Sequence, residues 1–319
     1  MTQPMTTTQR LLLISPVRNE AAHLELIADA VARQTRPPDL WVVVNDNSTD
    51  STPEILANLA ARIDFLEVLN TAELPAAGRV KDRLATAAAP RTFNLGLHNV
   101  AWQSFTHIAK LDGDTELPPD YFKRLLAEFA RDPELGLAGG VYADPDPDGD
   151  GDGWKIVKMP SEYHVAGTLK CYSIECFQAI GGVQERLGWD TIDETYARMR
   201  GYRTQAFPEL VVHHHRPRGS ADGTLRGRAR HGQCAYIAQF TLPWVTLRAF
   251  KVGRTQPWGL SGLAFLYGYV RSAIRRVPRV EDPEFRRFVR GELRERAQRE
   301  IAGRMARSRR LVPLPDRRH

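Results

Sequence analysis

Cysteine is scarce: three in 319 residues, Cys171, Cys176 and Cys234, too few and too scattered for a disulfide framework. A reducing compartment is therefore expected, and the spacing of the three fits no zinc pattern. Nowhere do about 18 apolar residues run together, which excludes an ordinary membrane-spanning helix. The opening MTQPMTTTQR lacks the apolar centre of a secretory signal, so a cytoplasmic location is expected. A glycine-rich phosphate loop is also missing, because Gly181-Gly182 is followed by neither Lys-Ser nor Lys-Thr. ADPDPDGDGDGW (143–154) resembles a calcium loop but lacks its closing glutamate. Counting twelve from Asp144, Asp146 or Asp148 reaches Lys155, Val157 or Met159, so the stretch is read as an acidic loop. Acidic residues thin out toward the end. From Arg216 onward roughly 24 Lys or Arg face 8 Asp or Glu, within a net charge of +6. Such a segment suits a solvated helical face, helices packed on the rest of the chain or on a second copy, or an anionic partner, with a membrane surface expected before nucleic acid.

What is present is an α/β pattern. LLLISPVRNE reads as a buried strand, AAHLELIADAVARQT as a helix and LWVVVNDNSTD as a second strand. Ser51 or Thr52 then caps a helix with Pro53 in its first turn, and FLEVLN is a third strand. This alternation predicts a mostly parallel sheet flanked by helices, whose ligands bind beyond the carboxyl ends of the strands. Arg18, Asn19, Glu20, Asp46, Asn47, Asp112 and Asp114 fall on that rim. THIAKLDGD delivers two carboxylates around Gly113, which lets the backbone turn tightly. Asp112 and Asp114 repel unless a cation lies between them, and hard oxygen ligands suit Mn2+ or Mg2+ carrying a diphosphate. Farther on, TQAFPELVVHHHRPRGS reads as a strand ending in His213, His214 and His215, where alternation points His214 opposite to the other two. His213 and His215 share one face, and neutral imidazole is able to join two carboxylates on Mn2+; Arg216 and Arg218 either brace phosphate oxygens or are ordinary exposed charges.

Four stretches, PVRNEAAHLE, VVVNDNSTDST, RTFNLGL and LDGDTELPPDY, stand in the order and spacing of glycosyltransferase family 2, which the chain resembles over roughly residues 11 to 218. The resemblance implies a GT-A fold over 11–219, after an N-terminal tail (1–10) and before a basic, mostly helical extension (220–319). It implies an inverting transfer of one sugar from a UDP- or GDP-sugar to a hydroxyl of a glycan or lipid-linked glycan. Asp46 would read the base, with Pro16, Arg18, Glu20, Asn47 and Arg91 around the nucleotide; Asp112 and Asp114 would hold metal and diphosphate, with His213 or His215 joining them on the metal. The segment GGVQERLGWDTIDETYARMRGYRT resembles the acceptor side, where an aspartate acts as base. Counting back from Gly201-Tyr202 gives Asp190, whereas the local Thr-x-Asp pattern gives Asp193, which is favoured; Thr191 and Glu194 have capping-box spacing. The Gln-Arg-Trp segment of processive relatives has no counterpart in RGRARHGQCAYIAQF, so single-sugar transfer is expected. A nucleotidyltransferase would carry a GxGTR loop where this chain has SPVRNE, and an inert scaffold would not need the carboxylate pair.

Overall fold

Leu11–Val17 (β1) is buried at every position but Pro16, the pattern of a strand covered on both faces. Leu11, Leu13 and Val17 face one core, with Leu24–Ala32 (α1), Thr52–Ala60 (α2) and Tyr121–Arg131 (α4). Leu12 and Ile14 face the other, with Ala88–His98 (α3), Ile174–Ala179 (α5) and Trp189–Met199 (α6). The computed structural model describes residues 8–71, 87–146, 151–159, 161–216 and 223–310. Arg218 and part of the acidic loop, residues 147–150, lie outside them. The chain divides into two compact units, Met1–Ala221 and Asp222–His319.

In the first unit, β1 pairs in parallel with Leu40–Asn45 (β2) and with His107–Leu111 (β4), and β2 pairs in parallel with Leu66–Asn70 (β3). Antiparallel pairing begins at Leu169–Ser173 (β8), which lies against β4. The remaining strands are Thr115–Glu116 (β5), Leu135–Pro145 (β6), Trp154–Ile156 (β7) and Arg203–His214 (β9). The sheet order is β3-β2-β1-β4-β8-β6-β9-β5, with β7 on β6. The expected α/β sheet is thus parallel through its first four strands and extended by a mixed part, antiparallel around β8 and parallel between β6 and β9. Two caps differ from expectation. Ser51 makes no side-chain cap; the Thr52 hydroxyl accepts from the Glu20 N–H instead, while Asp50 accepts from Thr52 N–H. No Thr191–Glu194 capping box forms, because α6 starts at Trp189 and the Glu194 carboxylate is turned inward.

The second unit holds Thr224–Ile237 (α7), Leu242–Val252 (α8), Leu260–Ile274 (α9) and Pro283–Arg310 (α10). The first turns of the last bury Phe285, Val289 and Leu293, one stripe at helical spacing among the charges. Among the described residues no helix is long and apolar enough to cross a membrane.

Candidate active site

The register Pro16↔Val44 and Val17↔Asn45 brings the ends of β1 and β2 level, so the loops after them meet. Asn19 and Asn47 adopt positive φ (54° and 52°), a conformation asparagine tolerates, and the two turns interlock. Asn19 N–H donates to the Ser48 hydroxyl (3.0 Å), and Thr49 N–H donates to Asn19 Oδ1 (2.7 Å). Asp46, 9% exposed, accepts from Thr92 Oγ1 (3.1 Å) and Thr71 Oγ1 (3.4 Å). Arg18 donates to the Asp46 carbonyl (2.9 Å), and Asn47 Nδ2 to Thr71 Oγ1 (2.9 Å). Thr92 reaches this point because Gly96 lets α3 lie on the sheet: a Cβ there would stand 2.8 Å from Val44 and 2.9 Å from Ile14. Arg91, one residue earlier, faces outward and pairs with Glu185 (3.5 Å). Thr92, not Arg91, therefore stands beside Asp46, since helix geometry turns neighbouring side chains about 100° apart.

At the end of β4, Asp112 takes an ion pair from buried Lys110, whose ammonium also donates to the Gly167 carbonyl (2.8 Å). Burial pushes the Asp112 carboxyl above its usual range, and Lys110 pulls it back. Asp114, 7% exposed, lies 3.6 Å from His214 Nε2 and 3.9 Å from Arg216 Nε. Glu20 accepts from Arg216 (2.7 Å), yet burial and then the charge of Asp114 push its pKa up to about 7. Three carboxylates, Glu20, Asp112 and Asp114, thus share one corner of the rim.

Strand alternation settles the histidines. His214, not His213 or His215, is the one beside Asp114, and its Nδ1 meets Asp144 (3.2 Å). His213 stacks flat on Trp154 (4.1 Å between rings), and His215 Nε2 meets Glu116 (2.9 Å). The side chains of the pair expected to ligate metal make other contacts, and the intervening residue is the one beside Asp114. Among the described residues no three His, Cys, Asp or Glu side chains form a ready metal cage. Asp112, Asp114 and His214 nonetheless offer hard oxygen and imidazole donors, and the contacts to Asp114 are longer than hydrogen bonds. This set fits a divalent cation that draws its remaining ligands from a bound diphosphate.

The two base candidates have opposite surroundings. Asp193, 3% exposed, accepts from Lys170 (2.8 and 3.0 Å), from Tyr172 (2.5 Å) and from Glu194 N–H (2.6 Å). Burial pushes its pKa upward against the pull of Lys170. Glu194, buried too, is held low by His164 and Lys170; it meets His164 Nδ1 at 3.1 Å and accepts from Val165 N–H at 2.8 Å. Asp193 is thus enclosed among buried partners that occupy both of its oxygens. Asp190, half-buried at the start of α6, lies over Gly167: a Cβ on Gly167 would be 3.6 Å from Asp190 Oδ2. The Gly167 carbonyl is the one Lys110 grips beside Asp112, so of the two candidates Asp190 is the one near the carboxylate corner.

Lys110 and Lys170 escaped sequence reading. They are direct cross-strand partners on β4 and β8, both with their ammonium about 5 Å from the Trp189 ring centre (5.5 and 5.3 Å). The available signal was a lysine inside each of two otherwise buried-strand runs, HIAKLD and GTLKCYS.

Residues 13–81 match the family model described as glycosyl transferase family 2. Among solved structures, the chain is similar to the mannosyltransferase PcManGT from Pyrobaculum calidifontis in complex with GDP-Man and Mn2+ (TM-score 0.53, 20% identity, covering 84% of this chain and 74% of that one). It is similar to S. aureus TarS 1-349 in complex with UDP-GlcNAc (TM-score 0.50, 14% identity, 84% and 73%). It is also similar to GalNAc-T7 with UDP, GalNAc and Mn2+ (TM-score 0.55, 13% identity, 90% and 57%). A comparison with curated proteins found no match. The structural likenesses establish the fold, and the family match covers the strand ends that carry Arg18, Glu20, Asp46 and Asn47. The chain thus shares the fold of these glycosyltransferases, and its residues 13–81 carry the match to glycosyl transferase family 2.

Proposed function

We propose that the chain transfers one sugar from a UDP- or GDP-sugar to a hydroxyl acceptor with inversion at the anomeric carbon. The observation carrying this reading is that Asp46, Asp112, Asp114 and Asp190 lie along one rim, from the ends of β1 and β2 to the start of α6. Asp46 accepts from the base of the nucleotide, and mismatched bases are rejected because its buried carboxylate would lose that partner. A divalent cation, Mn2+ or Mg2+, held by Asp112 and Asp114 with His214 beside them, would neutralise charge on the leaving diphosphate. Arg216, next to Asp114, is in position to donate to phosphate oxygens. Asp190 takes the proton from the acceptor hydroxyl as its oxygen bonds to the anomeric carbon. The carbon–oxygen bond to the diphosphate breaks, and the nucleoside diphosphate leaves with the electron pair. The solved relatives bound to GDP-Man and to UDP-GlcNAc support a nucleotide-sugar donor.

The acceptor we favour is a glycan or lipid-linked glycan in polysaccharide or glycoconjugate synthesis, at the cytoplasmic face of a membrane, with 11–219 catalytic and 220–319 accessory. Calorimetry with UDP and GDP, with and without Mn2+, tests the donor site. The expected result is metal-dependent binding of one nucleotide to wild type and its loss in Asp112→Ala/Asp114→Ala. Failure of every nucleotide in a wider panel would overturn the reading.

A further inference from the structure

Between Gly223 and Val280 the chain holds ten Lys or Arg and no Asp or Glu. Within that stretch α9 has two faces of different kinds. One packs inside the second unit: a Cβ on Gly262 would lie 2.4 Å from the Ala249 carbonyl, and one on Gly268 would lie 1.8 Å from that of Ala229. Phe265 and Ser272 are buried on this face. The other face carries Leu260, Leu263, Tyr267, Val270 and Ile274, all exposed and stepping by three and four residues, which is one stripe of a helix. Ile274 reaches 76% exposure, and Trp258, just before the helix, 69%. Leu242 and Phe250 of α8 are exposed as well. Cations stand over the exposed aromatics: Arg254 lies 4.5 Å from the Phe250 ring centre and Arg271 5.7 Å from that of Tyr267.

We infer that this surface docks in the interface of an anionic lipid membrane. Its 15 residues give α9 a length of about 22 Å, short of a bilayer's hydrocarbon core, so an apolar stripe of this kind lies in the plane of the interface. An exposed tryptophan in a segment with exposed arginines is the side-chain chemistry that partitions to headgroup depth. Charge selects lipid over a second copy. Two such faces brought together would set the exposed Arg254 and Arg271 of one copy against those of the other, whereas anionic headgroups supply the opposite sign. The inference does not depend on sugar transfer.

Sedimentation of the full chain with phosphatidylcholine vesicles, with and without phosphatidylglycerol, tests it. Binding is expected only where phosphatidylglycerol is present, and it should weaken as salt rises. Leu263→Gln/Tyr267→Gln/Ile274→Gln and, separately, Arg254→Gln/Arg271→Gln/Arg275→Gln should each weaken binding on the order of tenfold or more, with nucleotide affinity in solution unchanged. The charge variant alters only exposed groups, so it serves if the apolar one folds poorly. Equal binding to both vesicle types, or undiminished binding by both variants, would overturn the inference. So would a dimer in solution that the apolar variant dissociates, since a second copy would then cover the face.

Discussion

Replacing Lys170 by methionine removes the one ammonium that faces Asp193 and Glu194 together. Lys170 is fully buried and donates to both Asp193 oxygens, to Glu194 Oε1 (3.3 Å) and to the Asp190 carbonyl (2.5 Å). Methionine fills most of the volume but offers no donor, so the cost is electrostatic rather than a cavity. Glu194 keeps His164 and, at 3.9 Å, Arg198. Asp193 keeps only the Tyr172 hydroxyl and a backbone N–H, and must either remain charged without a cation or take up a proton. Breaking a buried pair from one side costs about 3–5 kcal/mol, which for a unit of this size lowers Tm on the order of 10 °C. Urea and thermal unfolding of Lys170→Met measure this. Lys170→Met/Asp193→Asn leaves neither partner charged and is expected to recover most of the loss. A single variant within about 1 kcal/mol of wild type, or a double variant no better than the single, would refute the reasoning. The same contact anchors the carbonyl of Asp190, so kcat should fall in Lys170→Met while nucleotide affinity holds.

Asp190→Asn is expected to lower kcat by about 10²–10⁴-fold with nucleotide affinity unchanged, whereas Asp193→Asn should mainly lower stability; steady-state kinetics beside calorimetry separates the two, and a fully active Asp190→Asn would remove it as base. His214→Ala should weaken metal-dependent nucleotide binding roughly tenfold or more, while His213→Ala and His215→Ala leave it near wild type; the reverse order in calorimetry would return the role to the outer pair. His107 is 7% exposed, and burial, with Arg36 behind it, pushes its pKa down to about 4. The folded state therefore holds it neutral. Its contribution is complete above pH 6.5 and is lost as pH falls toward 4, a span worth on the order of 3 kcal/mol. Urea unfolding across that range should show a shallower pH slope for His107→Gln, and identical slopes would exclude His107 as the source.

Sequence alone determined the first strands of the sheet, their ends and the rim, because hydrophobic period and turn residues are local properties. LLLISPV and LWVVVN are buried on both faces wherever they pair, and the acids that follow them must emerge at the same edge. The tertiary structure decided which of several adjacent candidates reach that rim. Asp190 and Asp193 are three residues apart on one helix, and only the packing of α6 on β8, with Lys170 beneath it, shows that Asp193 is enclosed and Asp190 stands over Gly167. That Thr92 rather than Arg91 stands beside Asp46 rests on how closely Gly96 lets α3 approach the sheet. The choice of His214 depends on β9 pairing with both β5 and β6, which fixes the face toward Asp114. Alternation separated the three histidines into two sets in advance, but which set faces the carboxylates is a fact about neighbouring strands, and no local pattern encodes it.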